Sequence, residues 1–212
     1  MKLTKKIFTV LLFSIVMAYL ESAVVVYLRE LYYPNGFTFP LKIIPEKILI
    51  IELGRELATI IMLGSMAIIA GKIFAEKVAY FLFAFGMWDI FYYMWLKVFI
   101  NWLESFLTDD LLFLIPVPWI SPVFAPVLVS VIFILFSVVA LRQSEAGSKI
   151  KFMKSDIILI LIGVILILFS FIWNFDERLN STSPVEFMWG VFLVGLLSLS
   201  TGLLKPVLSA KP

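Results

Sequence analysis

The chain has 212 residues, of which 62% are hydrophobic and only 15% charged, with a mean hydropathy of +1.07. Soluble domains average about 45–50% apolar and about 25% charged, so a water-soluble globule is excluded. Cysteine and histidine are both absent, which removes thiol chemistry, disulfides, cysteine-linked haem, zinc sites built on these residues and imidazole acid–base catalysis. The formal charge of +2 is small and spread over loops, which offers no basic stripe for nucleic acid.

Six apolar runs, each near the roughly 20 residues that cross a bilayer, predict an all-α polytopic membrane protein with a single transmembrane domain over residues 1–212. The first run, residues 7–28, follows Lys2, Lys5 and Lys6 and lacks a small-x-small cleavage site, so it reads as an uncleaved helix rather than a signal peptide. A segment rich in Tyr, Phe and Pro leads to the second run, residues 46–70, and the third covers residues 77–100. Residues 111–120 are too short to span and carry Pro116 and Pro118, with Pro122 just beyond. They predict a re-entrant or interfacial segment, with an ordinary proline-rich loop as the alternative. The remaining runs are residues 122–141, 157–173 and 185–204, joined by polar loops.

Short basic loops stay on the cytoplasmic side. An N-in, C-in arrangement collects eleven Lys and Arg residues there and leaves only Arg29, Lys42, Lys47 and Arg178 in the opposite loops. Trp95, Trp102, Trp119, Trp173 and Trp189 then fall near the outer helix ends, where indole rings favour the interface, while Trp88 lies deeper. The localisation expected from this pattern is a multi-pass cell inner (plasma) membrane protein.

Ionisable residues inside spans cost about 2.5–3.5 kcal/mol each on insertion scales and normally face the protein interior or a wet cavity. Six stand out: Glu21 on the first helix, Glu52, Arg55 and Glu56 on the second, Asp89 and Lys97 on the third. At ~1.5 Å of rise per residue, all lie between the outer interface and the midplane. Helical spacing groups Glu52, Arg55, Glu56 and Thr59 on one face, and Asp89, Tyr92, Tyr93, Leu96 and Lys97 on another. With Glu21 these stripes form a candidate ligand-binding pocket open to the outside. Its four carboxylates exceed its two cations, which calls for protonation or a bound cation. Glu52, Glu56 and Asp89 are the candidate metal ligands, and all-oxygen coordination suits Mg²⁺ or Ca²⁺. The structural alternative is that Arg55 and Lys97 only neutralise the carboxylates and pin three helices together.

The inner halves of the helices are poor in polar groups, which argues for a one-sided site rather than a through path. The fourth to sixth helices carry no ionisable residue in their central portions; they read as scaffold or as a surface for a membrane-protein partner. Gly64, Ala67, Ala70, Gly71, Gly163, Gly190, Gly195 and Gly202 mark expected close helix approaches. Asn180-Ser181-Thr182 matches the glycosylation pattern but lies too near the membrane to be assigned use. Glu145 and Asp156, in the cytoplasmic loop region, are expected to be silent to substitution.

The segments Glu52-Leu53-Gly54-Arg55-Glu56, Trp88-Asp89-Ile90-Phe91-Tyr92-Tyr93 and Asp110-Leu111-Leu112-Phe113-Leu114-Ile115-Pro116-Val117-Pro118-Trp119 resemble stretches of small, uncharacterised polytopic membrane proteins of bacteria. The resemblance spans roughly the first 130 residues and implies a prokaryotic inner-membrane protein, without a chemistry. The expected function is binding of a lipid-like or amphipathic ligand, or of a cation, in the outward-facing pocket. Whether the protein is an enzyme is open; if it is, the carboxylates would serve as acid, base or metal ligands. Two alternatives stand beside it: a small transporter or its substrate-binding subunit, and a non-catalytic subunit or assembly factor of a membrane complex.

Overall fold

A computed structural model describes the whole chain except residues 1, 35, 39, 43, 103, 149, 174, 181–185 and 211–212, and the side chain of Arg178. Ser181 and Thr182 of the glycosylation pattern, Val185 at the start of the sixth run, and Lys149 and Lys211 of the basic tally lie outside the described residues.

The elements are α1 (Leu3–Tyr32), α2 (Glu46–Ala70), α3 (Phe74–Ile100), β1 (Asp109–Phe113), β2 (Trp119–Pro122), α4 (Phe124–Glu145), α5 (Lys154–Ile172), α6 (Phe175–Asn180) and α7 (Trp189–Leu208). Six of the helices, all but α6, are long and apolar enough to cross a membrane. Their outward faces carry exposed apolar side chains along their length, as Phe8, Leu12, Val16, Leu20, Tyr27 and Leu31 do on α1. That surface suits lipid and would not be stable in water.

The helices pack as a serpentine: α1 on α3, α3 on α4, α4 on α7, and α7 on α5. α2 rests on α3 and more sparsely on α1. Residues 109–122 lie against these helices as an antiparallel hairpin, paired Asp109↔Pro122, Asp110↔Ser121, Leu111↔Ile120 and Phe113↔Trp119. β2 packs on α5 and α4 and buries Ile120 and Ser121 completely. Two paired strands were not legible in a segment whose prolines suggested irregular backbone.

The closest helix pair is α5 with α7. A methyl group added at Gly163 would lie 2.5 Å from the Leu199 backbone nitrogen and 2.8 Å from the Gly195 carbonyl oxygen. Both obstacles are backbone and cannot rotate away, so the helices would have to separate. Gly195 and Gly202 face the same seam, whereas Gly64 and Gly190 have open space beside them and play no such part. Gly163→Ala is expected to lower stability by about 1–3 kcal/mol, as overpacking does elsewhere. A thermal midpoint unchanged from wild type would contradict the close approach.

At the end of the bundle where α1 begins, the Lys6 ammonium donates to the Ala70 carbonyl at 2.7 Å. Glu76 accepts from the Lys72 N–H at 2.8 Å and from the Ser144 hydroxyl at 2.9 Å, joining α3 to the end of α4. Asp156, expected in the loop region, lies in the first turn of α5. It is 1% exposed, it accepts from the Met153 N–H at 2.9 Å to cap α5, and Lys205 reaches it at 3.4 Å. Glu145 is exposed and remains the better control.

Candidate functional site

Toward the opposite end of the bundle a cavity of about 430 Å³ is lined by residues of α1–α5, α7, the hairpin and the α1–α2 connection. On α1 it is lined by Glu21, Val25, Leu28, Arg29 and Tyr32, an i, i+4, i+7, i+8, i+11 series that marks one helix face. α2 contributes Leu49, Glu52, Arg55, Glu56 and Thr59, and α3 contributes Trp88, Asp89, Tyr92 and Tyr93. The predicted residues Glu21, Glu52, Arg55, Glu56, Asp89, Tyr92 and Tyr93 therefore share one cavity.

Lys97 is the exception. It is exposed and does not line the cavity, because the α3 face that meets α1 turns it outward one turn beyond Tyr93. The buried cation of the cavity is instead Arg29, which the apolar run ending at residue 28 assigns to an outer loop. Its Nη2 donates to Asp110 Oδ1 at 3.0 Å, with both side chains buried. The guanidinium also lies over the rings of Trp102, at 3.9 Å, and Phe37, at 4.5 Å, a stacked arrangement that the planar cation favours. Burial pushes the Asp110 carboxyl above its ordinary range, and the Arg29 charge is the largest influence opposing that rise.

Arg55 ties α1 to α2. Its Nη1 bonds Glu21, and its Nε donates to Glu52 Oε2 at 2.8 Å. Glu21 also accepts from the Thr59 hydroxyl. Glu56 has a different partner: both its oxygens accept from the Leu114 backbone N–H at 3.0 Å. This bond holds the hairpin tip, where the Ile115–Pro116 peptide is cis. Asp89 accepts from Ser130 of α4 at 2.7 Å. That contact depends on Gly86, one turn earlier, where a methyl group would meet the Ser130 carbonyl at 2.8 Å.

The carboxylates are spread over three helices and the hairpin: Glu21 and Glu52 share Arg55, while Glu56, Asp89 and Asp110 each engage a different partner. Among the described residues no group of three or more acidic side chains is placed to hold a metal ion. Glu52, Glu56 and Asp89 are not brought together as a metal site: Asp89 is turned to Ser130, Glu56 to the hairpin and Glu52 to Arg55.

The other side of the cavity is apolar. Val129 and Phe133 of α4, Val164, Ile167, Leu168 and Phe171 of α5, and Leu199 of α7 form it. The helices read as scaffold thus supply one wall. Trp119, expected at the interface, lines the cavity beside Phe113 and Phe171, with ring centroids 5.3 and 6.5 Å away. Four buried atoms of the lining have no hydrogen-bond partner among the described residues: Arg29 Nη1, Asp110 Oδ2 and the indole nitrogens of Trp88 and Trp119.

Comparison with known protein families, with curated proteins and with solved structures gives no match. Any functional reading therefore rests on the cavity itself.

Proposed function

We propose that this chain is a multi-pass protein of a prokaryotic inner membrane, with both termini in the cytoplasm, and that its cavity binds an amphipathic molecule from the outer leaflet. The observation that carries the reading is the division of one cavity into two chemistries. Carboxylates, guanidinium groups and tyrosines from α1–α3 and the hairpin face apolar side chains from α4, α5 and α7. A small polar solute would leave the apolar wall dry and unmatched, and a plain hydrocarbon would strand the charges. A molecule with a polar head and an alkyl chain satisfies both.

The hairpin fits this placement. Glu56 lies ten residues into α2, so its bond to Leu114 sets the hairpin tip about 15 Å along that helix, near half the roughly 30 Å hydrocarbon thickness. Non-helical backbone is tolerated at that depth only where protein satisfies it. The strand pairing and the Glu56 carboxylate supply those partners. In this reading the segment is re-entrant and caps the polar side of the cavity.

Below the site Val10, Leu63, Ala84 and Tyr80 are packed with almost no exposure, which favours a one-sided binding site over a transport path. Native mass spectrometry of protein extracted into nanodiscs tests the proposal. Wild type is expected to retain a bound amphiphile, and Leu168→Trp, which fills the apolar wall, to lose most of it while keeping its helical content. Equal retention of amphiphile by both proteins would overturn the reading.

A further inference from the structure

Resting on the proposed amphiphile-binding reading, we infer that the head group this cavity takes carries an organic ammonium, held by carboxylates inside a box of aromatic rings. Three observations converge on that chemistry. The first is charge: the carboxyl groups of Glu21, Glu52, Glu56, Asp89 and Asp110 line the cavity against three cations, the buried Arg29, the partly exposed Arg55 and the exposed Lys42.

Both guanidinium groups are already engaged, Arg29 with Asp110 and Arg55 with Glu21 and Glu52. Lys97 is exposed and does not line the cavity. An anionic head would be repelled by those of the excess carboxyl groups that are ionised, and Lys42, exposed at the cavity, is the one further lining cation among the described residues. In a low-dielectric site that repulsion is weakly screened. Asp110 Oδ2, on a side chain 1% exposed, is an acceptor still without a partner among the described residues.

The second observation is the aromatic lining. Trp88 stands 5.5 Å from Phe85, 6.3 Å from Tyr92 and 6.3 Å from Phe113, and Tyr92 is 5.1 Å from Tyr93. All five rings line the cavity, as does Asp89. Ring faces attract cations, and most strongly where water is excluded. The third is the absence, among the described residues, of any cluster of three acidic groups that would hold a metal ion. Carboxylates set apart by rings suit a bulky cation with diffuse charge better than a compact one. The unpartnered donors, Arg29 Nη1 and the indole N–H groups, are suited to acceptor oxygens linking such a head to its chain.

Equilibrium binding of radiolabelled dodecyltrimethylammonium to protein-loaded nanodiscs, corrected for empty discs, tests this. Dodecyl sulfate, dodecyl maltoside and tetramethylammonium serve as competitors. The inference predicts that the labelled ammonium binds on the order of tenfold more tightly than the sulfate or the maltoside compete. It also predicts that Asp89→Asn and Trp88→Leu each weaken it by a similar factor, whereas Glu145→Gln leaves it unchanged. Equal competition by all three dodecyl compounds would overturn the ammonium head while leaving the amphiphile reading intact. Binding no greater than to empty discs would overturn the ammonium head, and the nanodisc retention experiment would then decide the amphiphile reading. Displacement by tetramethylammonium as effective as by the long-chain compound would uphold the ammonium site and overturn the amphiphile reading.

Discussion

Arg29→Ala is expected to destabilise the protein by about 3–5 kcal/mol, the cost of leaving one partner of a buried ion pair without its countercharge. The loss is large because Asp110 is buried and Arg29 Nη2, at 3.0 Å, is its ion-pair partner among the described residues. The stacking of the guanidinium on Trp102 and Phe37 disappears with it. A double variant, Arg29→Met with Asp110→Leu, removes both charges and restores apolar contact, and should regain most of the loss, as replacement of buried ion pairs by hydrophobic groups does elsewhere. The measurement is the midpoint of thermal unfolding in one fixed detergent. A single variant within about 1 kcal/mol of wild type would show that the pair does not anchor the hairpin to α1.

The second large effect is expected at Arg55, which holds Glu21 on α1 and Glu52 on its own helix. Arg55→Ala leaves two carboxylates uncompensated. Because the arginine side chain is 24% exposed, partial solvation moderates the cost, and about 3 kcal/mol is expected. Arg55→Lys should recover only part of it, since an ammonium is a point charge and cannot present the Nε and Nη1 donors in the same fork. Adding Glu21→Gln to Arg55→Ala should restore stability by removing one unpaired charge. If that double variant is less stable than Arg55→Ala alone, the glutamate is not stranded and the electrostatic account of the α1–α2 seam fails.

Much of the arrangement is written in the sequence as charge against an apolar background. Glu52, Arg55 and Glu56 share a helix face by spacing alone, and Asp89, Tyr92 and Tyr93 do the same. Lys97 continues that second stripe in sequence yet lies outside the cavity, because at 3.6 residues per turn two four-residue steps from Asp89 carry it about 80° around the helix. Arg29 was missed by placing the end of the first helix at residue 28, whereas α1 runs to Tyr32. The i, i+4, i+8 series of Glu21, Val25 and Arg29 is the signal that would have found it. Asp110 and Ser130 were out of reach for a different reason: each is brought to the site by an element distant in sequence, and a single chain reports no pairing between such segments. The hairpin is a similar case, its pairing residues being interrupted by a proline-rich tip.

The proposed site requires the cavity to face away from the side that holds the termini, and side-specific labelling tests this most directly. The chain contains no cysteine, so single substitutions give an unambiguous readout. Lys42→Cys sits exposed at the cavity, and Lys151→Cys lies exposed in the loop between α4 and α5. With a membrane-impermeant maleimide on intact cells, Lys42→Cys is predicted to label and Lys151→Cys to label only after permeabilisation. Labelling of Lys151→Cys in intact cells, with Lys42→Cys protected, would place the cavity on the cytoplasmic side and contradict the account.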